Sequence, residues 1–306
     1  MANLATKVCG VTMDPPLVLA SGILGVSAAS MARVVRCGAG AVTMKSCSLE
    51  PRAGHKNPCV LPFEHGMLNA VGLSNPGVAG ASKVIAEFRT LSRAPLIASI
   101  FAGSVQEFGR VAERIAEARP DIIEVNVSCP NVHSEFGAPF GGDFDATAAI
   151  TRAVKDAAGA IPVAVKLTLQ CPSIGRMAKV CEDSGADAIT AINTVGPGML
   201  LDLATRRPIL SNGVGGLSGG AIFPLALRAV FEVRRHTGLP IIATGGIATG
   251  DQAAQMILAG ASVVGIGTGV YTRGVTVFEE VARELGDWVD STPERSLEAL
   301  TGAAHG

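Results

Sequence analysis

Eight short apolar segments, each followed by a helical pattern, constrain the fold of this 306-residue chain more than any other feature. The segments lie at residues 17–20, 41–44, 96–99, 122–127, 163–167, 188–192, 240–243 and 262–266. They are rich in Val, Ile, Leu and Ala, which is typical of parallel strands buried on both faces. Since eight strand–helix repeats are the count of a (β/α)8 TIM barrel, we predict this α/β fold, with long βα loops that form the active site and a single domain over residues 1–306.

A doubly wound open sheet is the alternative fold with the same alternation. It is disfavoured because no G-x-G-x-x-G sequence follows the first apolar segment. The 25 basic and 26 acidic residues form no block of like charge, so nothing indicates binding to nucleic acid or to an anionic membrane.

The seven cysteines, at positions 9, 37, 47, 59, 129, 171 and 181, include no C-x-x-C pair. An odd count without such spacing argues against a disulfide framework and against a metal or iron–sulfur site in this chain. No signal peptide or membrane-spanning segment is recognisable at the N-terminus, so we expect a cytoplasmic protein.

The residues that directly follow the apolar segments are candidate site residues, because the active site of a barrel lies at the C-terminal ends of its strands. They are polar, cationic or glycine in nearly every repeat: Ser21, Lys45, Ser99, Asn126 to Asn131, Lys166, Asn193, Thr194, Gly245, Gly246, Gly267 and Thr268. A barrel with only a structural role would not need two lysines and several amides at these positions.

Glycine-rich loops follow the seventh and eighth segments, at Thr244–Gly246 and Gly265–Gly269. In this fold a phosphate commonly binds between these two loops, on backbone N–H groups that glycine lets approach closely. Ordinary left-handed turns are the structural alternative. The presence of glycine-rich loops in both of the relevant repeats favours phosphate binding.

Lysines and asparagines at the strand ends suit a polar ring system. Lys45 and Lys166 could neutralise an electron-rich cofactor ring or a carboxylate, or could extend to solvent instead. Four amides, those of Asn69, Asn126, Asn131 and Asn193, offer donors and acceptors for a ring with alternating C=O and N–H groups. Each asparagine taken singly could equally cap its own loop.

Cys129 follows the fourth segment and precedes Pro130, where a strand passes into a loop. A thiol has a reference pKa of about 8.5, near enough to neutral pH to take up a proton when assisted. A general base and a small packed thiol are therefore the two interpretations of Cys129. The other six cysteines are interpreted as packing residues.

These motifs, in this order, resemble the class 1 dihydroorotate dehydrogenases over residues 16–268. The similarity is greatest to the catalytic subunit of the NAD-dependent class 1B branch. The motifs that carry it are Leu19-Ala-Ser-Gly22, Lys45-Ser46, Leu49-Glu-Pro-Arg52, Gly66-Met-Leu-Asn-Ala-Val-Gly-Leu73, Asn75-Pro-Gly77, Asn126-Val-Ser-Cys-Pro-Asn131, Val165-Lys166, Ile192-Asn-Thr194, Gly215-Gly-Leu-Ser-Gly219, Gly245-Gly246 and Gly267-Thr268.

The resemblance implies bound FMN. Its phosphate would lie on Gly245, Gly246, Gly267 and Thr268. Its ring and ribityl chain would be surrounded by Ser21, Lys45, Ser46, Asn126, Lys166, Ile192 and Gly219. Ser99 stands where relatives often carry asparagine near the flavin.

The resemblance also implies oxidation of (S)-dihydroorotate to orotate in de novo pyrimidine biosynthesis. Lys45, Asn69 and the loop Ala70, Val71, Gly72 and Leu73 would bind the carboxylate. Asn126, Asn131, Asn193 and Thr194 would bind the amide edges of the pyrimidine. Cys129 would act as the base at C5 while the C6 hydride moves to the flavin, with Lys45 as the second catalytic residue.

Class 1B further implies a partner subunit that carries FAD and a [2Fe–2S] cluster and passes electrons to NAD, in a heterotetramer built on a homodimer. Three alternatives stay open: a class 1A-type homodimer that uses fumarate, a dihydropyrimidine dehydrogenase-like flavoenzyme, and a flavin-free phosphate-binding lyase or isomerase. Lys45 and Asn69 disfavour the dihydropyrimidine dehydrogenase alternative, because the substrates of that enzyme lack the carboxylate that these two residues would bind.

Overall fold

A computed structural model describes residues 3–127 and 140–306 of the chain. Eight parallel strands close into a barrel and follow one another around it in chain order. They are β1 (Leu17–Leu19), β2 (Ala41–Thr43), β3 (Leu96–Ile100), β4 (Ile122–Asn126), β5 (Val163–Leu167), β6 (Ala188–Ala191), β7 (Ile241–Thr244) and β8 (Val263–Ile266). The predicted (β/α)8 barrel is confirmed.

Helices pack around the outside of the barrel, where the strand residues that alternate with the interior ones form the larger core. They are α1 (Ala28–Arg36), α2 (Gly77–Leu91), α3 (Val105–Ala116), α4 (Phe144–Ala158), α5 (Ile174–Asp183), α6 (Phe223–Arg234), α7 (Gly250–Leu258), α8 (Gly269–Arg273), α9 (Val277–Ser291) and α10 (Leu297–Leu300). Asp143 is the N-cap of α4, because its carboxylate accepts hydrogen bonds from the N–H groups of Asp145 and Ala146 at 2.9 and 3.0 Å.

An apolar layer fills the interior at the N-terminal ends of the strands. Each strand contributes one buried aliphatic residue to it: Val18, Ala41, Ile97, Ile122, Ala164, Ala188, Ile242 and Val263. A two-stranded hairpin, Thr6–Val8 with Val11–Met13, closes this end, and Val8 and Met13 belong to the same buried cluster. The small residues on three strands leave room for the larger aliphatic side chains of the others.

Buried polar side chains replace the aliphatic ones two residues further along five of the strands. Thr43, Ser99, Glu124, Lys166 and Thr190 are all buried at these positions. A polar group in a barrel interior is destabilising unless it is paired, so this layer marks the half of the barrel where a ligand is expected.

The long loops after β2 and β6 form a further antiparallel sheet, which we call the cap sheet. Its strands, in spatial order, are Val195–Gly198, Gly215–Ser218, Gly66–Asn69 and Val60–Phe63. The sequence predicted only loops here, because these strands are short and contain glycine or proline, which weaken a strand pattern. The sheet joins two loops that are distant in the chain. A smaller hairpin, Leu201–Asp202 with Arg207–Pro208, extends from it.

Within the two described ranges, no helix has the length and apolar character needed to cross a membrane. The same ranges hold no cluster of three His, Cys, Asp or Glu side chains suited to a metal ion.

Candidate active site

Three of the predicted site residues meet where β4, β5 and β6 end. Asn126 and Lys166 are direct neighbours in the register of β4 and β5. The Asn193 side-chain Nδ2 donates to Asn126 Oδ1 at 3.2 Å, and Asn193 Oδ1 accepts from the backbone N–H of Thr194 at 2.8 Å. These contacts orient the two amides towards one another, so the predicted convergence of asparagines at this end of the barrel is present for this pair.

The cap sheet brings Asn69 to the same region. Asn69 pairs with Gly216 in the sheet, and its Nδ2 lies 3.4 Å from the Gly216 carbonyl oxygen. A Cβ atom on Gly216 would overlap the Thr194 hydroxyl, so Thr194 packs directly against the same strand. The strand Gly215–Ser218 therefore links Asn69 with Thr194, although no sequence pattern connects them.

The loop Ala70–Leu73 is held from one side by His55, a residue that the sequence analysis missed. His55 donates its backbone N–H to the Val71 carbonyl at 3.1 Å, and its Nδ1 lies 3.0 Å from the Ala70 carbonyl. Since C=O and N–H point in opposite directions in a trans peptide, the N–H groups of Val71 and Gly72 point away from His55. Nothing in the sequence pattern around His55 distinguished it from an ordinary loop residue.

Three serines form a chain of hydroxyl groups beside Lys45. Ser21 donates to the Met44 carbonyl at 2.9 Å, and its Oγ lies 3.4 Å from Ser46 Oγ. Ser46 Oγ in turn lies 2.8 Å from Ser99 Oγ, and Ser99 is fully buried. The structure therefore places Ser99 behind Ser46, where it fixes the orientation of that hydroxyl.

The two glycine-rich loops meet the end of the cap-sheet strand Gly215–Ser218. Thr268 donates its hydroxyl to Ser218 Oγ at 2.8 Å. A Cβ atom on Gly219 would lie 2.8 Å from Gly66 Cα, and one on Gly246 would lie 2.8 Å from the Gly219 carbonyl oxygen. Gly219 and Gly246 also have positive φ angles of 93° and 76°, so both close approach and backbone conformation require glycine there.

Gly267 differs from those two glycines. Its φ is not in the left-handed region, and the nearest atom to a Cβ built on it is Ala20 Cβ at 3.6 Å, an ordinary contact. The protein itself therefore has room for a side chain at this position. A Cβ there would instead occupy space at the end of β8 that the glycine leaves open.

Glu124 and Lys166 form a buried ion pair under this region. Lys166 Nζ lies 3.6 Å from Glu124 Oε1, and the two residues are 6 % and 2 % exposed. Glu124 Oε1 and the hydroxyl of Thr190 are buried without a hydrogen-bond partner among the described residues. The sequence analysis missed Glu124, although a single carboxylate within the apolar strand Ile122–Asn126 was a visible signal.

Cys129, Asn131 and the rest of residues 128–139 lie outside the described residues. Of the other thiols, Cys47 and Cys181 are fully buried, and burial raises the pKa of each to about 12. Burial also raises the pKa of Cys9, to about 11. These three thiols stay protonated near neutral pH and are not suited to act as bases.

Polar side chains, two lysines and the glycine-rich loops thus occupy the C-terminal end of a (β/α)8 barrel beneath a cap sheet. This arrangement defines a barrel enzyme whose site suits an anionic ligand with a polar ring.

Comparison with known proteins narrows the class. The sequence profile of the family described as dihydroorotate dehydrogenase matches residues 3–289. Three similar proteins are dihydroorotate dehydrogenase B (NAD(+)) catalytic subunits. That of Methanothermobacter thermautotrophicus is 40% identical over 303 residues (99% of this chain, 98% of the relative), that of Methanosarcina mazei 40% over 297 residues (97% and 93%), and that of Methanocaldococcus jannaschii 41% over 305 residues (99% and 98%). The chain therefore belongs to the dihydroorotate dehydrogenase family of oxidoreductases, which confirms the resemblance seen in its motifs.

Proposed function

We propose that this chain binds FMN and oxidises (S)-dihydroorotate to orotate as the catalytic subunit of an NAD-linked enzyme, with residues 1–306 as one FMN-binding domain. The observation that carries the proposal is the convergence of Asn126, Lys166, Asn193 and Asn69 at one end of the barrel. Membership of the family supplies the reaction that such a site would serve.

The residues at the end of the barrel fit FMN. Gly267 leaves a space that a Cβ would fill, next to Thr268 and to the close-packed glycines of the neighbouring loop. A phosphate there would be held by Gly245, Gly246, Gly267 and Thr268. The ring and ribityl chain would be held by Ser21, Lys45, Ser46, Asn126, Lys166, Ile192 and Gly219, with Ser99 supporting Ser46. The two lysines balance the negative charge of the cofactor. Bound FMN would provide the two-electron acceptor for the hydride from C6 of dihydroorotate.

The substrate carboxylate is assigned to Lys45, Asn69 and the loop Ala70–Leu73. The carbonyls of Ala70 and Val71 face His55, which leaves the N–H groups of Val71 and Gly72 directed to the other side, as donors for an anion. The amide edges of the pyrimidine are assigned to Asn126, Asn131, Asn193 and Thr194. The contact between Asn126 and Asn193 fixes both amides before substrate arrives, which lowers the entropic cost of binding.

Cys129 is assigned as the general base that takes the proton from C5 of dihydroorotate. The support is its position in the chain, three residues beyond Asn126 at the site end of β4. Lys45 completes the catalytic group by holding the substrate carboxylate in place.

A partner subunit is assigned from the names of the relatives, which are called catalytic subunits of an NAD(+) enzyme. We assign to it the FAD and the [2Fe–2S] cluster that connect the flavin of this chain to NAD, in a heterotetramer with a homodimer of this chain at its core. Co-purification from the native host tests this assignment. An iron–sulfur flavoprotein in the complex supports it, and a solitary homodimer that reduces fumarate contradicts it.

Anaerobic titration of the purified chain with dihydroorotate tests the cofactor and the substrate together. We expect the visible absorbance of a flavin, which one equivalent of dihydroorotate bleaches. A colourless protein that cannot be loaded with FMN would favour a phosphate-binding lyase or isomerase. Bleaching by dihydrouracil but not by dihydroorotate would favour the dihydropyrimidine enzyme.

A further inference from the structure

Glu124 has no part in the site assigned above, although it lies directly beneath it. We propose that Glu124 is a positioning residue that holds the Lys166 ammonium group under the cofactor site and determines how much positive charge the site presents. The inference rests on the proposed function, because its main measurement uses bound flavin.

The register of the barrel sets the relative heights of the two side chains. Glu124 pairs with Ala164 on β5, and Lys166 lies two residues further towards the C-terminal end of that strand, level with Asn126. Because side chains alternate along a strand, Ile122, Glu124 and Asn126 all face the barrel interior. Glu124 therefore lies level with Ala164 of the apolar layer, and Lys166 lies two residues further towards the ligand site.

Because Glu124 is buried, its carboxylate requires a partner of opposite charge. A carboxylate that is 2 % exposed loses almost all of its hydration, and such a charge is retained only next to an opposite charge. Lys166 supplies that opposite charge, with Nζ at 3.6 Å from Oε1. That separation is too long for a hydrogen bond, so attraction between the charges holds the two groups together.

The polar atoms around Lys166 leave its ammonium group able to donate hydrogen bonds to a ligand. Glu124 Oε1 has no hydrogen-bond partner among the described residues, and neither has the hydroxyl of Thr190. Thr190 is the neighbour of Lys166 in the register of β5 and β6. An ammonium group has three donors, and none of them is committed to Glu124 by a hydrogen bond. Lys166 can therefore donate upward to a ligand while Glu124 balances its charge from below.

Neutralising Glu124 then changes the site in a defined direction. In a low-dielectric interior, loss of the carboxylate leaves the Lys166 charge uncompensated. Reduced FMN carries more negative charge than oxidised FMN, so the uncompensated charge of Lys166 stabilises the bound reduced form more. The midpoint potential of the bound flavin should rise.

The test is Glu124→Gln, which keeps the size of the side chain and removes its charge. We expect the ratio of reduced to oxidised flavin at a fixed potential to rise at least tenfold, equivalent to a shift of about 30 mV for two electrons. The dissociation constant for FMN, measured separately, should fall more for the reduced than for the oxidised cofactor. An unchanged or more negative potential would overturn the inference.

Three further variants extend the test. Glu124→Asp keeps the charge at a greater distance, and we expect a smaller positive shift than for Glu124→Gln. Urea unfolding of the FMN-free protein then compares Glu124→Gln, Lys166→Met and the double variant. The double variant should be at least as stable to urea as the less stable of the two single variants, because it leaves neither charge buried without its partner.

Failure of the inference and failure of the proposed function give different results. An unaltered protein that binds no flavin rejects the proposed function. The urea midpoints still test the pairing of Glu124 with Lys166 in that case. Additive effects of the two substitutions would show that the two side chains do not interact. A flavin-loaded protein with additive midpoints and an unchanged potential rejects the inference alone.

Discussion

The two halves of the barrel interior are built on the same eight strands and have opposite chemistry. At the N-terminal ends, each strand contributes one aliphatic residue, and the hairpin Thr6–Met13 closes the cluster. Two residues further on, the interior holds Ser99, Glu124 and Lys166. The comparison shows that residues two positions apart on the same barrel strand can serve different purposes, one in the apolar core and the other in the candidate site.

The halves also differ in how they are covered. The apolar half is sealed by side chains such as Val8 and Met13, whose burial is itself stabilising. The polar half lies beneath the cap sheet, whose strands come from two separate loops. Its buried polar groups destabilise the protein unless they are paired with one another or with a ligand. Substitutions in the two halves should therefore have separable effects.

The largest effect is expected at the proposed base. Cys129→Ala should lower the rate of dihydroorotate oxidation by roughly 10²–10⁴-fold, the usual contribution of a general base, without loss of bound FMN. Single-turnover reduction of the flavin near neutral pH measures this.

Cys171→Ala is the matched control, because Cys171 is a partly exposed thiol that follows β5 and is hydrogen-bonded to the Thr168 carbonyl. Its turnover should match that of the unaltered protein. Flavin reduction at the normal rate in the Cys129 variant would remove that residue from the mechanism.

A packing substitution in the apolar half should affect stability alone. Ile97→Ala empties part of a fully buried layer and should lower the free energy of unfolding by about 2–5 kcal/mol. The KM for dihydroorotate should stay the same. Urea unfolding and steady-state kinetics measure the two quantities.

Ser99→Ala, two residues along the same strand, is the matched comparison. It removes the hydrogen bond to Ser46 and should cost about 1 kcal/mol of stability while weakening retention of FMN. Equal effects of the two substitutions on cofactor retention would contradict the division of the barrel into halves.

Gly267→Ala should separate cofactor binding from folding. A Cβ fits the protein without close contact, so the stability of the FMN-free protein should be unchanged or slightly higher. The same Cβ occupies the space assigned to the cofactor, so the dissociation constant for FMN should rise by at least about tenfold, or 1.4 kcal/mol. Fluorescence titration of the FMN-free protein measures it.

Gly238→Ala is the control for this substitution. No atom lies within 4 Å of a Cβ built on Gly238, and its φ is not in the left-handed region. Neither stability nor FMN binding should change much. If Gly267→Ala behaves like this control, the phosphate lies elsewhere.

The smallest effect concerns pH. Burial raises the pKa of Cys47 from 9.0 to about 12, so this thiol contributes stability that is fully present below pH 9 and is lost as the pH rises towards 12. By pH 10 the loss should be about 1 kcal/mol. Urea unfolding at pH 8 and pH 10 should show a smaller decrease in Cys47→Ala than in the unaltered protein. An equal decrease in both proteins would show that Cys47 has a normal pKa.

Local patterns were sufficient to predict the barrel and to select candidate site residues. The eight apolar segments are the eight barrel strands of the structure. Lys45, Asn126 and Asn193 could be selected because a barrel places every strand end on one face. The cap sheet could not be predicted, since segments such as Val195–Gly198 are short and contain glycine and proline.

The sequence by itself determined the order of strands and helices, the face that carries the polar residues, and the family. These depend on hydrophobic periodicity and on motifs that are local in the chain. Only the tertiary structure decided that Asn69 and Thr194 flank one strand of the cap sheet, that Ser99 lies behind Ser46, and that Glu124 is paired with Lys166. Such pairings depend on strand register and on contacts between distant segments, and a linear pattern of residue types contains neither.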